Sequence, residues 1–421
     1  MEVSHERDQP ASSWSGGWAA APGEKETQGA WVLPPGARGF LAAGLYSSAS
    51  TWMFNLVAQI LIVGGRRDLK TLYMDKLDGA AADVIRNAPC FLAKSHIPSP
   101  ALGPLLEFNR LPVIMTVRDP RDAIASMMLR WNLGFDLAFH RVRTSARALA
   151  KLAEYRPALL FRYEDGFMLD KRCAETVARW LGVALSAADR RALLAGLTPQ
   201  AVEARIAAWQ RSGVLGKGAP DVEYEPETHW HVGHIGDRLV GKWRGVLTAA
   251  QAALVVYATR PFCEAFGYPT GAPIESGALL SFSRTGTGAG YLGEGFSEPE
   301  PWGIWTDAGQ AVASFPLAAP VRQGLRLALD LVCAPGSGRP PSPGLPHVTL
   351  NGETIGAIRP GRWLTRRHRL IFDRRDPRLA NGDRIQIALT SSSARSSAAP
   401  DGGPEARQGR LGLVRLRLDY Q

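Results

Sequence analysis

A turn of small residues between a predicted strand and a predicted helix is the first segment that could bind an anion. The segment Ser47–Trp52 has the sequence Ser-Ser-Ala-Ser-Thr-Trp and follows the apolar run Phe40–Leu45. Backbone N–H groups in such a turn can approach an anion, and the helix N-terminus adds a favourable partial charge. The segment is not a Walker sequence, because no Gly-Lys-Ser/Thr is present. An ordinary capped turn would have the same composition, so this segment alone does not decide between the two.

A second segment combines an arginine and a serine across another strand–helix junction. Asp119 followed by Pro120 predicts a helix start, with an N-cap residue and a proline at the first helical position. Arg118 would then lie at the carboxyl end of the strand Val113–Val117, where open α/β sheets bind ligands. Ser126 lies two turns further along the helix, so Arg118 and Ser126 could share one phosphate. An Arg118 engaged only in a salt bridge is the alternative.

A lysine and a histidine end a third predicted strand. The run Phe91–Lys94 is apolar until its last residue, and His96 follows two residues later, before a proline. Because residues two apart in a strand face the same side, Lys94 and His96 could both point into one site. Histidine can accept a proton from an alcohol near neutral pH. A structural histidine and a solvent-facing lysine are the alternatives.

These segments and two later ones resemble, in order, the sulfotransferases that use 3′-phosphoadenosine 5′-phosphosulfate (PAPS). Ser48–Trp52 is similar to the Ser-Gly-Thr-Thr-Trp core of that family's 5′-phosphosulfate loop, and Arg118–Ser126 is similar to its 3′-phosphate motif. Phe91–Pro98 resembles the segment with the catalytic base. Phe161–Asp165 resembles the family's Arg-Tyr-Glu-Asp segment, and Gly236–Arg244 resembles its late glycine motif.

The resemblance covers about residues 38–268 and implies a fold, a reaction and a set of site residues. The implied fold is a P-loop-like α/β domain, and the implied reaction is metal-free transfer of a sulfuryl group from PAPS to a hydroxyl. His96 would deprotonate the acceptor, and Trp52 and Tyr163 would flank the adenine. The predicted cofactor-binding residues are Ser47, Ser48, Ala49, Ser50, Thr51, Trp52, Arg118, Ser126, Tyr163, Gly241, Lys242 and Trp243.

The sequence departs from the family at the residue before the Ser-Gly-Thr core. The family usually carries Lys or Arg there, in contact with the bridging oxygen of the phosphosulfate, whereas this chain has Ser47. We therefore predict His96, Lys94 and Ser47 as the catalytic residues, with Lys94 as the substitute cation and Lys242 as the next candidate. The late glycine motif is also two residues longer than in the family.

A group of histidines and a stripe of arginines could carry further functions. His229, His231 and His234 have a spacing that could suggest a metal site, but we predict no metal and assign them to a loop that closes over the nucleotide. Arg143, Arg147 and Lys151 recur at helical spacing and make a basic stripe. A solvated helix face is the default interpretation of that stripe, and contact with an acidic glycan is the alternative.

The apolar pattern predicts an α/β domain at residues 37–268. Strands are expected at Phe91–Lys94, Val113–Val117 and Leu159–Tyr163, with helical segments between them, which is typical of a parallel sheet flanked by helices. Further helices are expected at Ala187–Gln210 and Ala249–Phe266.

Composition changes outside that domain. Residues 1–36 are predicted to be a mobile tail and residues 269–294 a linker, because both are rich in small and turn-forming residues. Residues 295–421 show short alternating segments separated by turns, which is typical of an antiparallel β-sandwich. The linker predicts that the α/β domain folds without the sandwich. The expected sandwich strands are Ala311–Leu317, Leu325–Val332, His347–Leu350, His368–Phe372, Arg384–Leu389 and Leu411–Leu418.

The overall composition indicates a globular protein. The 421 residues carry a net charge of +10, with 45% apolar and 21% charged residues, which excludes a wholly disordered chain. No run approaches the roughly 20 apolar residues of a membrane span. The four cysteines lack metal or redox spacing and the N-terminus lacks a secretory pattern, so we expect a cytoplasmic protein. No nucleic-acid partner is predicted.

The opening of the sandwich suggests the class of acceptor. Gly295–Asp307 resembles the first segment of small β-sandwich modules on bacterial surface-glycan enzymes, so the predicted acceptor is a glycan or glycolipid. Trp302 and Trp305 could stack on sugar rings or cap the sandwich core. The alternative functions are a nucleotide-dependent kinase and an inactive glycan-binding or scaffold protein. The missing Walker lysine opposes the kinase, and the presence of His96 and Arg118 opposes the inactive protein.

Overall fold

The computed structural model describes residues 32–155, 158–218, 222–307, 309–334, 345–358, 366–374, 383–391 and 410–421. Most of the predicted N-terminal tail, residues 1–31, lies outside these described residues. Within them, no helix combines the length and the apolar character needed to cross a membrane.

The first domain is the predicted α/β unit, built on a five-stranded parallel sheet in the order β2-β3-β1-β4-β5. Its strands are β1 (Arg38–Gly44), β2 (Leu69–Tyr73), β3 (Cys90–Ser95), β4 (Val113–Val117) and β5 (Leu159–Arg162). Separate apolar clusters cover the two faces of the sheet, so the central strands are buried on both sides. The edge strand β2 was not predicted.

Helices flank this sheet and continue after its last strand. Asp119 accepts a hydrogen bond from the Arg121 N–H and Pro120 occupies the first turn of α4, as predicted. The helices are α1 (Ser50–Val63), α2 (Gly79–Asn87), α3 (Leu102–Phe108), α4 (Pro120–Trp131), α5 (Phe135–Tyr155), α6 (Arg172–Leu181), α7 (Ala187–Gly196), α8 (Pro199–Ser212), α9 (Trp243–Val246), α10 (Ala249–Ala258) and α11 (Arg260–Ala265). A small hairpin, β6 (Gly216–Gly218) and β7 (Val222–Tyr224), follows α8.

Two helices that were predicted as continuous are each broken in two. The expected helix Ala187–Gln210 ends at Gly196, because Thr198 caps a new helix that has Pro199 in its first turn. The expected helix Ala249–Phe266 is interrupted at Thr259, again before a proline.

The second domain is an antiparallel β-sandwich, as predicted from the alternating pattern. One sheet has the order β10-β15-β12-β13, and the other has the order β14-β11-β16-β8 with β9 paired to β16. Apolar side chains from both sheets form one core between them. The strands are β8 (Ala278–Ser281), β9 (Ile304–Trp305), β10 (Gln310–Pro316), β11 (Leu325–Cys333), β12 (His347–Leu350), β13 (Glu353–Ala357), β14 (Arg366–Arg374), β15 (Arg384–Thr390) and β16 (Leu411–Tyr420).

The segment predicted as a linker, residues 269–294, contributes to the sandwich. Its strand β8 pairs with β16, and Ile274 bridges to Leu317. Leu280 and Phe282 lie in the sandwich core. The turn-rich composition of this stretch predicted a linker, but these two apolar side chains make it part of the sandwich.

The two domains contact each other through α5 and α10. The Tyr257 hydroxyl on α10 lies 2.9 Å from the carbonyl oxygen of Phe296 and 2.7 Å from that of Ser297, both in the first segment of the sandwich. Arg143 on α5 forms an ion pair with Glu298 in the same segment. The arginine stripe is therefore partly covered by the sandwich, and the expected solvated face is wrong for Arg143.

The tryptophans of that opening segment pack on each other. Trp302 and Trp305 meet edge to face, with ring centroids 4.9 Å apart, beside Val332 and Val414 of the sandwich. Trp305 is buried, and the Trp302 indole N–H donates to Glu300 over 2.8 Å. These contacts match the core-capping alternative for the two rings.

The interface predicts a measurable cost for removing one hydroxyl. Tyr257→Phe should lower the free energy of unfolding by about 0.5–1.5 kcal/mol, because the hydroxyl's hydrogen bond to the sandwich is lost from a largely buried position. Chemical denaturation measures the change. Tyr291→Phe is the matched control, since that hydroxyl donates to Ala272 at an exposed position. Equal losses in the two variants would contradict the assigned role of Tyr257.

Candidate functional site

The carboxyl ends of β1, β3, β4 and β5 open into a cavity of about 1020 Å³. Loops that leave neighbouring parallel strands meet at this edge, so residues distant in sequence converge there. Ten of the residues predicted from sequence line the cavity: Ser47, Ala49, Ser50, Thr51, Trp52, Lys94, His96, Arg118, Ser126 and Tyr163.

The turn between β1 and α1 is wound tightly by two residues in the left-handed region. Ser47 has φ 59° and Ala49 has φ 62°, although neither is glycine. Gly44 allows this turn to pack closely, because a Cβ on Gly44 would lie 2.3 Å from the Thr116 hydroxyl oxygen. The N–H groups of the first turn of α1 have no intrahelical acceptor, no side chain caps them, and the residues of that turn line the cavity. The buried hydroxyl of Ser47 also has no hydrogen-bond partner.

Arg118 is buried at the centre of the site, with 1% of its surface exposed. Its Nη1 donates to the Ser47 carbonyl oxygen over 3.0 Å, and its Nη2 donates to the Leu239 carbonyl oxygen over 2.8 Å. The guanidinium carbon lies 4.0 Å from the centre of the Tyr163 ring. The Nε–H is buried and has no acceptor among the described residues, so this N–H of Arg118 remains unpaired.

Four residues predicted to bind the cofactor do not line the cavity. The Ser48 hydroxyl is turned into the protein, 2.7 Å from the Leu45 carbonyl oxygen and 2.8 Å from the Thr116 hydroxyl. Lys242 forms an ion pair with Asp237 over 2.8 Å. The remaining two are Gly241 and Trp243.

Gly241 and Trp243 instead connect the late loop, residues 236–244, to α4 by hydrogen bonds. Their backbone N–H groups donate to the two carboxylate oxygens of buried Asp122, over 2.6 and 3.0 Å. The Asp122 carboxylate also lies 3.8 Å from the Arg118 guanidinium. The structure therefore gives this part of the late motif a supporting role next to the cavity.

His96 is held in one tautomer. Its Nδ1 lies 2.6 Å from the Gly44 carbonyl oxygen, and a carbonyl can only accept, so Nδ1 carries the proton. Asp75 accepts the backbone N–H of His96 over 3.0 Å, and Ser145 donates to its carbonyl over 2.6 Å. The Tyr46 ring stacks on the imidazole at 4.3 Å. Nε2 therefore remains as a fixed proton acceptor.

Burial sets the charge of the Lys94 and His96 side chains. It lowers the pKa of Lys94 to about 7, against the opposing effect of the Asp75 carboxylate. Burial, with Lys94 as the next cause, lowers the pKa of His96 to about 3. A neutral imidazole and a readily titrated ammonium therefore share the cavity, which is the charge distribution that a base and a cationic stabiliser need.

Several cavity residues were not predicted from the sequence. Three arginines, Arg130, Arg141 and Arg238, line the cavity, and Arg238 has φ 62° in the late loop. Aromatic residues from other elements complete the wall, namely Tyr46, Tyr73, Trp131, Tyr224 and Trp230. Of these residues, only Tyr46 could have been predicted from the sequence, because it lies next to the predicted turn.

The three grouped histidines also face this cavity. His229, His231 and His234 line it together with His96. Across the described part of the chain, no group of three or more His, Cys, Asp or Glu residues is arranged to bind a metal ion.

No protein-family model matches the chain, and no curated protein matches it. Among solved structures, it is similar to retinol dehydratase in complex with retinol and PAP. The two are 17% identical with a TM-score of 0.39, over 56% of this chain and 83% of that one. It is also similar to mouse sulfotransferase SULT7A1 in complex with PAP, with 14% identity and a TM-score of 0.38, over 55% and 82% of the two chains. A second retinol dehydratase structure, with androsterone and PAP, gives 16% identity and a TM-score of 0.41, over 56% and 82%.

The left-handed turn predicts that a smaller residue stabilises the protein. Ala49→Gly should raise the free energy of unfolding by about 1 kcal/mol, because glycine adopts φ 62° without the cost that a Cβ imposes. Ala58→Gly, in the middle of α1, is the control and should lower stability by about 0.5–1 kcal/mol. Urea denaturation measures both changes. A loss of stability in both variants would show that Ala49 is not strained.

Proposed function

We propose that this protein is a sulfotransferase that moves the sulfuryl group of PAPS to a hydroxyl of a glycan or glycolipid. One observation carries the proposal. An anion-binding turn, a buried arginine with a free donor and a histidine with a fixed free acceptor all line one cavity.

The turn Ser47–Thr51 is suited to the 5′-phosphosulfate. It combines free N–H groups at a helix N-terminus with the hydroxyls of Ser50 and Thr51, both of which line the cavity. The unpartnered Ser47 hydroxyl adds a further donor. An anion here would satisfy polar groups that have no acceptor in the protein itself.

Arg118 and Ser126 are suited to the 3′-phosphate. They come from one strand–helix junction and both face the cavity, with Arg130 and Arg238 as additional cations nearby. Trp52 and Tyr163 are placed to flank the adenine. The Trp52 ring is fixed by a 3.0 Å hydrogen bond from its indole N–H to the Leu197 carbonyl oxygen, and the Tyr163 ring is fixed by Arg118.

The reaction follows from the charges of His96 and Lys94. Nε2 of His96 takes the proton of the acceptor hydroxyl, whose oxygen forms a bond to sulfur. The bond between sulfur and the bridging phosphate oxygen breaks, and adenosine 3′,5′-bisphosphate leaves with the electron pair. Lys94 and the N–H groups of the turn stabilise the negative charge that develops on the leaving phosphate. Lys94 would thereby supply the cation that Ser47 lacks.

The acceptor class and the compartment belong to this proposal as well. The resemblance of Gly295–Asp307 to glycan-enzyme modules supports a glycan or glycolipid acceptor. All four cysteines are free and buried, which supports a reducing compartment such as the cytoplasm.

The 3′-phosphate assignment predicts a selective loss of nucleotide affinity. Arg118→Ala should weaken binding of adenosine 3′,5′-bisphosphate by about 1.5–3 kcal/mol, the range for a hydrogen bond to a charged group. Adenosine 5′-phosphosulfate, which lacks the 3′-phosphate, should lose less, because its binding is affected only through the lost contact between Arg118 and the Ser47 carbonyl oxygen. Isothermal titration calorimetry measures both ligands.

Arg121→Ala is the control for that experiment. Arg121 is the next arginine in the chain, but it pairs with Asp119 over 2.6 Å and lies on the Trp243 ring outside the cavity. This variant should bind both ligands as the wild type does. Equal losses for the two ligands in Arg118→Ala would contradict the 3′-phosphate site.

The pKa values predict an unusual pH profile. His96 stays neutral down to about pH 4 because its pKa is about 3, so kcat/KM should not fall between pH 7 and pH 5. Lys94 loses its charge as the pH rises through about 7, so activity should fall there. Lys94→Arg should remove this alkaline decline, because a guanidinium stays charged, whereas Lys94→Met should be slow at every pH. A wild-type decline centred near pH 6.5 on the acid side would contradict the state assigned to His96.

A further inference from the structure

His229 is a buried histidine on the cavity wall that the proposed reaction does not use. It is 9% exposed, it lines the cavity, and its Nε2 is buried without a hydrogen-bond partner. Its backbone has φ 57°, a conformation that costs a non-glycine residue free energy. A buried polar nitrogen with no partner among the described residues, on a side chain that lines the cavity, indicates a ligand group that completes it.

The loop before His229 is fixed by several hydrogen bonds. The Glu225 carboxylate accepts the N–H and the hydroxyl of Thr228, over 2.8 and 2.6 Å. The carbonyl of Glu225 accepts the N–H of His229 over 2.8 Å. Asn55 on α1 donates to the Thr228 carbonyl oxygen over 2.8 Å. His229 is therefore held in place before any ligand arrives.

The imidazole is neutral and its direction is defined. Burial, followed by the charge of Lys94, lowers the pKa of His229 to about 3. The Leu72 backbone carbonyl is a hydrogen-bond partner of the ring, and since Nε2 has none, that bond belongs to Nδ1. A carbonyl only accepts, so Nδ1 keeps the proton and Nε2 carries a lone pair that has no donor among the described residues.

Aromatic faces lie between and beside the two imidazoles. The Tyr73 ring is 6.1 Å from the His96 ring and 6.1 Å from the His229 ring. Tyr46 stacks on His96, and Tyr224 lies parallel to His229 at 6.5 Å. The cavity wall thus combines aromatic rings with two imidazoles, which suits a ring that has C–H faces and hydroxyl groups on its edge.

We infer that His229 binds a second hydroxyl of the acceptor while His96 deprotonates the reacting one. This inference rests on the proposed function and narrows the acceptor to a ring with at least two hydroxyls, such as a sugar. An alcohol with a single hydroxyl would leave the buried Nε2 unpaired, and sites built to bind a hydroxyl discriminate strongly against ligands that lack it. His229 is a positioning and specificity residue in this account.

The test compares two alcohols that differ by one hydroxyl, cyclohexanol and trans-1,4-cyclohexanediol, with PAPS as the donor. The full-length wild type should have a kcat/KM for the diol that is roughly tenfold or more above that for cyclohexanol. His229→Phe keeps an aromatic ring beside Tyr224 but removes the nitrogens, so it should lose this preference through a higher KM for the diol. His229→Gln retains an amide acceptor and should restore part of the preference.

The two variants are matched, because glutamine and phenylalanine both carry a Cβ in the left-handed backbone of position 229. Thermal unfolding and binding of adenosine 3′,5′-bisphosphate check that each variant is folded. A wild type that binds the bisphosphate and uses both alcohols equally overturns the inference alone, as does a His229→Phe variant that keeps the preference. If His229→Phe does not fold, a His229→Gln variant with wild-type preference supports the inference and one with no preference overturns it. A wild type that binds no bisphosphate contradicts the proposed function.

Discussion

The site depends on one buried ion pair. Arg118 and Asp122 lie one helical turn apart at the start of α4, with almost no exposed surface. Arg118 donates to the carbonyl oxygens of Ser47 and Leu239. Asp122 accepts the backbone N–H groups of Gly241 and Trp243 in the late loop. A buried charge is costly unless its hydrogen bonds are made, so these contacts constrain two distant segments at once. The Ser47 turn and the loop around Leu239 are thereby placed on either side of the ligand cavity.

Burial also determines the chemistry of the cavity. Desolvation lowers the pKa values of both His96 and Lys94. His96 therefore stays neutral, and Lys94 loses its proton more readily than an exposed lysine. The Gly44 carbonyl then fixes the tautomer of His96, so the base needs no reorganisation before it accepts a proton. In a water-filled cleft the histidine would be half protonated near pH 6.5 and the lysine would titrate far above neutrality. Burial therefore gives both groups the charge states that the proposed transfer to a hydroxyl requires.

The sequence was sufficient for the elements whose signals are local. The Asp119–Pro120 cap placed Arg118 at the end of β4, and the apolar runs predicted the central strands and the sandwich. Pro199 is a sequence signal for the break between α7 and α8. The sequence analysis nevertheless predicted one continuous helix there, because the apolar pattern continues across the proline. Strand β2 was missed because it is a short edge strand with polar residues among its apolar ones. The role proposed for His229 could not be predicted, because its unpartnered nitrogen depends on contacts with distant elements. The sequence instead assigned His229 to a loop that closes over the nucleotide.

The central claim is that the cavity binds a nucleotide with both a 3′-phosphate and a 5′-phosphate. Calorimetric titration of the wild-type protein with adenosine 3′,5′-bisphosphate, adenosine 5′-monophosphate and ATP tests it most directly. The account predicts that the bisphosphate binds at least roughly tenfold more tightly than the monophosphate, a difference of about 1.4 kcal/mol, and more tightly than ATP. Equal affinity for the bisphosphate and the monophosphate, or a preference for ATP, would contradict it.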